Sequence, residues 1–132
     1  MGNQPQRILV IGDIVIFVVF AFTGRVTHAP GDANLIVNAL PTLLTFLIVW
    51  LTIAVVGRVY RSSVILNPRS ALRHTLIAWL SAAPIAILIR AIILSHTAVP
   101  WQFAAVTIGL VGTLLLAWHG GVTIYLARHQ AS

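Results

Sequence analysis

The sequence predicts an all-α integral membrane protein, a four-helix bundle with both termini on the inner side. Three observations predict it. Only 8% of the 132 residues are charged, against about 25% in a typical soluble domain. The charges leave long intervals free: 33–57 has none, 74–89 carries only His74 as a titratable basic group, and 91–127 only His96 and His119. A spanning helix needs roughly 20 mostly apolar residues, and these intervals with their apolar flanks supply that. The basic residues, all of them Arg, stand at the ends of the apolar segments.

The elements follow in order. Helix one is expected over about 8–26, ending before the turn chemistry of Thr27-His28-Ala29-Pro30-Gly31-Asp32. Helix two is expected over about 34–57. Asn67-Pro68 reads as an N-cap with proline at the first helical position. Helix three, spanning about 74–95, therefore begins before it enters lipid. Pro100 opens helix four, about 100–127, which is long enough to tilt or to extend past the bilayer. No tetrapeptide or longer period repeats, so residues 1–132 read as a single transmembrane domain.

Arginine counts give the orientation. The 58–73 connection holds Arg58, Arg61, Arg69 and Arg73, with Arg7 and Arg128 near the two ends of the chain, while the opposite connections hold only Arg25. The positive-inside rule then places both termini and the middle connection in the cytoplasm, in a plasma (inner) membrane. These arginines favour anionic lipid headgroups. Net charge is +6, but no basic-aromatic interleaving accompanies it, which argues against nucleic acid. The absence of Cys excludes disulfides, thiolate metal sites and a Cys nucleophile. The amino-terminal stretch does not read as a signal peptide, because Asp13 interrupts it, and Gln6 stands where a myristoylation motif needs Ser or Thr.

Charges inside apolar segments are the main functional clue, because each costs roughly 2.5–3.5 kcal/mol on insertion scales. At 1.5 Å per residue, Asp13 lies roughly 8–9 Å beyond the inner start of helix one, and His119 roughly 10 Å before the inner end of helix four. Thr52 and Ser81 fall at a similar level, so the expected inner pocket is Asp13, Thr52, Ser81 and His119. A buried carboxylate finds a donor or takes a proton, and a carboxylate–histidine pair can hold or pass one near neutral pH. The same pair could serve only as glue between helices. Arg90 lies near the outer level with Arg25, His28, Asp32, Asn38, His96 and Gln102. That set could hold an anion or a headgroup, or Arg90 could simply snorkel.

Small residues suggest packing faces: Ala78, Ala82 and Ala86 on helix three, and Ala105, Gly109, Ala117 and Gly121 on helix four. Core packing is the expectation for both, with a dimer seam the alternative. Pro84 removes one helix hydrogen bond and is expected to kink helix three. Trp50, Trp79, Trp101 and Trp118 are expected at the interface belts. No cofactor is implied; a tetrapyrrole ligated by His119 beside Gly120-Gly121 is a minor alternative. No zinc-protease motif or nucleophile elbow is present, so an enzyme is not expected. What remains is binding or transport of a proton, anion or small ligand. The alternative is an accessory subunit, as a homodimer or within a larger membrane complex.

Several short motifs carry a family resemblance. Gly12-Asp13, Phe20…Gly24-Arg25…His28, Trp79…Pro84…Arg90, Phe103…Val106 and Leu116…Trp118-His119 resemble domain-of-unknown-function family 3054, over about residues 8–120. The resemblance implies a small four-span prokaryotic membrane protein and carries no activity. His119 departs from the Trp-Arg pair of that pattern, which keeps a basic partner for Asp13 but makes it titratable.

Overall fold

The structure is a computed structural model that describes residues 4–28, 31, 33–93 and 101–131, with the backbone alone at 25–28, 101, 103, 130 and 131. Among the described residues five helices follow one another: α1 Gln4–His28, α2 Leu35–Val56, α3 Ser62–Ile65, α4 Pro68–Ile93 and α5 Trp101–Ala131. Four of them are long and apolar enough to cross a membrane. The described residues contain no strand, and the chain is a multi-pass membrane protein of the all-α class.

Helix α5 has 31 residues, about 46 Å at 1.5 Å per residue, well beyond a hydrocarbon core of about 30 Å. Helix α4 starts at Pro68 rather than near 74 because Asn67 caps it. The Asn67 Oδ1 accepts the backbone N–H groups of Arg69 (3.1 Å) and Ser70 (3.4 Å), and proline costs nothing at the first helical position. Helix α4 continues through Pro84, which lies on its exposed side.

The long helices pack in the cyclic order α1, α2, α4, α5, each against two neighbours. Gln6 at the start of α1 donates to Ser62 Oγ in the α2–α4 connection, and Gly120 near the end of α5 faces Leu72 near the start of α4. One end of the bundle therefore gathers the start of α1, the arginine-rich connection and the end of α5. At the other end, Arg90 Nε donates to Thr42 Oγ1 at 2.9 Å.

The connection after α2 is a tight left-handed stop. Arg58 has φ 62°; Val59 N–H bonds the Ala54 carbonyl and Arg58 N–H bonds the Val55 carbonyl. That is the Schellman pattern, with the buried Val59–Ala54 pair as its hydrophobic contact. The left-handed residue is normally glycine, yet Gly57 precedes it with φ −78°, so Arg58 carries a conformational cost of roughly 1–2 kcal/mol. The turn drives Val59 into the core and brings Tyr60 beneath the bundle.

The core is aromatic on one side and small on the other. Phe17, Phe46, Trp50 and Trp79 meet with ring centroids 5.9–6.5 Å apart. Ala78, Ala82, Ala83 and Ala86 of α4 are buried against them. Two expectations are corrected here. Trp50 and Trp79 are core residues, 0% and 2% exposed, because four aromatic rings fill the centre of a bundle otherwise lined by alanine. Trp118 is half-buried between α5 and α1, and Trp101's side chain lies outside the described residues. The small face of α5 is not core: Ala105, Gly109, Ala117 and Gly121 are exposed. Thr107, Val111, Leu115, His119 and Thr123 are the buried row instead, and positions two residues away fall on the opposite face of a 3.6-residue helix.

Gly112 seats the Trp79 indole, whose Nε1 donates to the Ile108 carbonyl at 3.0 Å. A Cβ at Gly112 would lie 2.8 Å from Trp79 Cδ1, whereas one at Gly109 would meet nothing within 4 Å. Gly112→Ala is therefore expected to destabilise the bundle by about 1–3 kcal/mol. Gly109→Ala should be neutral or stabilise by up to about 1 kcal/mol, since Ala is the better helix former. Thermal unfolding of both variants in detergent micelles checks the contrast.

Candidate functional site

Asp13 stands on the inward row of α1 with Leu9, Phe17 and Ala21, all buried. Asp13 is 0% exposed, and its carboxyl group meets polar groups from three separate segments, two of them donors. Trp50 Nε1 of α2 donates to Oδ2 at 3.0 Å. The Tyr60 hydroxyl, delivered by the left-handed turn, donates to the same oxygen. His119 Nε2 of α5 lies 2.8 Å from Oδ1 and 3.0 Å from Oδ2. An indole N–H can only donate, and a phenol can do both. The Trp50 N–H also reaches Tyr60 Oη at 3.2 Å, so the phenol accepts from Trp50 while donating to Asp13. A carboxylate buried among N–H and O–H donors avoids the penalty of several kcal/mol that an unpaired buried charge would carry.

The imidazole of His119, 1% exposed, packs edge-on to Trp50 at 6.3 Å and tilted to Tyr60 at 6.0 Å. Its Nε2 faces the Asp13 carboxyl group.

Two dipeptides interlock at this level. Trp118 lies over Gly12, where a Cβ would come within 2.1 Å of its ring, and its Nε1 donates to the Leu9 carbonyl at 3.3 Å. Asp13 then meets His119. Gly12 lets α5 approach, and the approach brings His119 Nε2 within 2.8 Å of Asp13 Oδ1.

Burial pushes the Tyr60 phenol far above the usual phenol range; the neighbouring Asp13 charge and the hydrogen bond to it push the same way, against the Trp50 N–H. Tyr60 is therefore a protonated donor.

The other expected inner residues lie elsewhere. Thr52 is exposed, because Phe46, Trp50 and Ala54 form the buried row of α2 and a residue two past Trp50 points away from it. Ser81 is exposed and donates to the Ile77 carbonyl one turn back, at 2.9 Å. The direction of both side chains takes them away from Asp13. Trp50 and Tyr60 take their places. The signal for Trp50 was available: an indole deep in an apolar helix needs an acceptor, and Asp13 is one of only two acids.

At the far end, Asn38 is exposed one turn before Thr42 on α2, and Thr42 accepts the Arg90 bond. The side chains of Arg25 and His28, and residues Asp32 and His96, lie outside the described residues. Gln102 is exposed.

Removing the phenol tests the site's electrostatics. A group whose folded pKa is raised stabilises fully below its unfolded value and loses that contribution as pH rises. The stability advantage of the parent over Tyr60→Phe should therefore hold up to about pH 9 and shrink progressively once pH passes the ordinary tyrosine value near 10. Melting temperatures of the two proteins across that range provide the check.

A family model with the description "Protein of unknown function (DUF3054)" matches residues 10–122. No curated protein and no solved structure matches the chain.

Proposed function

The chain belongs to this family of unknown function, and on that premise we propose that it is a proton-holding membrane protein whose working unit is Asp13–His119 with Tyr60 as its gatepost. One observation carries the reading. The wholly buried pair is joined through Tyr60, which is only partly buried, to the arginine-rich connection. A hydroxyl oxygen has one proton and two lone pairs. Tyr60 gives its proton to Asp13 and uses one lone pair for Trp50. The second lone pair remains to receive a proton from the polar end. Beyond the pair, the Phe17, Phe46 and Trp79 rings form a dry block. Access is thus one-sided, which suits uptake and release at one membrane face better than passage through a single chain.

In this reading the arginine-rich end is cytoplasmic, the membrane is the plasma membrane, and Arg58, Arg61, Arg69 and Arg73 rest among anionic headgroups. In this reading the site holds a proton and turns over no substrate. The outer residues around Arg90 play no part in the proton site. A second reading, an accessory subunit, is favoured by one observation. Ala105, Gly109, Ala117 and Gly121 make a smooth outward row on α5, a face against which another membrane helix can approach closely.

The proton reading is tested with ¹⁵N-labelled histidine in lipid nanodiscs. On stepwise acidification the His119 ring resonances should report a change in protonation. Asp13→Asn should move that change to a different pH, and Tyr60→Phe should slow the exchange. A His119 ring whose resonances stay constant while the fold persists, in parent and variants alike, would contradict it.

A further inference from the structure

We propose that the groove between α2 and α4 at the arginine-rich end is a seat for one anionic phospholipid, its acyl chain in the groove and its headgroup at Arg58 and Arg73. The groove encloses about 280 Å³ on the outer face of the bundle. Its walls are Ile53, Val56 and Ile77, and its floor is made by two small residues, Gly57 and Ala78. A Cβ on Gly57 would already stand 3.0 Å from the Ile53 carbonyl and 3.8 Å from Ala78 Cβ, so glycine keeps the floor open. The groove runs from His74 to Ser81 along α4, about 10 Å of helix, in the direction an acyl chain takes down from a headgroup.

Charge identifies the occupant. Apolar lining gives no preference inside a bilayer, because lipid tails are as apolar as the walls. Selectivity must come from the mouth. Arg58 follows Gly57 directly, and Arg73 stands one turn before Ile77 on the same side of α4; both are exposed. His74, half-buried at the same mouth, donates its Nδ1–H to the Ser70 carbonyl at 2.8 Å. That bond fixes the ring in the groove wall. No acid competes for the cations here. Of the two acids in the sequence, Asp13 is buried against His119 and Asp32 belongs to the α1–α2 connection. A phosphodiester headgroup with a tail satisfies both ends of this site, whereas a second protein helix would leave the cations without a partner. The proposal is independent of the proton reading and goes beyond general headgroup attraction, since it predicts one lipid at one place.

The test uses the full chain in nanodiscs of equal phosphatidylglycerol and phosphatidylcholine, followed by native mass spectrometry. One phosphatidylglycerol per chain should be retained, enriched about thirtyfold over the mixture if each of two arginines adds the usual headgroup attraction of about 1 kcal/mol. Arg58→Gln with Arg73→Gln should abolish the enrichment, and Ser81→Phe, which fills the groove without touching a charge, should weaken retention of the lipid. Arg7→Gln with Arg128→Gln should leave both unchanged. A phosphatidylglycerol carrying a photoreactive tail should label the 74–81 stretch in the parent, which keeps the test decisive if a variant fails to fold. The proposal is overturned by retained lipid that mirrors the mixture. It is equally overturned by the two arginine pairs acting alike, by label spread evenly over the helices, or by dimers that carry no lipid.

Discussion

A carboxylate in hydrocarbon has to be surrounded by donors, and in this protein that requirement organises the chain. Asp13 draws Trp50 from α2, Tyr60 from the following turn and His119 from α5 to one point. Those three contacts span 37, 47 and 106 residues of sequence. Membrane helices gain little from apolar association, because lipid is as good a partner as another leucine. Polar contacts and close packing must therefore fix which faces meet. The cluster supplies the polar part, and the glycine seats at Gly12 and Gly112 supply the close approach.

The consequences propagate outward. Once His119 faces inward, the rest of its row on α5 does too, and Ala117 and Gly121 are turned to the lipid. Once Trp50 is held by Asp13, its ring joins Phe17, Phe46 and Trp79 in the core, and Thr52 is turned away. The left-handed turn at Arg58 is tolerated because it places Val59 in the core and the Tyr60 hydroxyl on the carboxylate. A local conformational cost is offset by a buried charge that is fully served.

Much of this was legible in the sequence. Charge spacing located four long helices, and Asn67-Pro68 located the true start of α4. Counting residues from the helix ends placed Asp13 and His119 at one depth. What counting did not give was direction around each helix, so Thr52 and Ser81 entered a pocket from which their azimuth excludes them. The alanine row of α4 and the small row of α5 look alike as strings; only one faces the core. The pairing itself held the answer, since fixing His119 inward decides the second row. Tyr60 was hidden for another reason. The turn that delivers it has arginine where glycine is usual, so the stop signal was displaced by one residue.

The central claim is that Asp13 and His119 act on each other, rather than each being tolerated separately in an apolar bundle. A double-mutant cycle with Asp13→Asn, His119→Gln and the combined variant, read by reversible unfolding in mixed micelles, measures this directly. The account predicts a coupling of about 2 kcal/mol or more, within the range for groups in one buried network. Single losses that add to within about 0.5 kcal/mol, as distant and independent sites do, would contradict it.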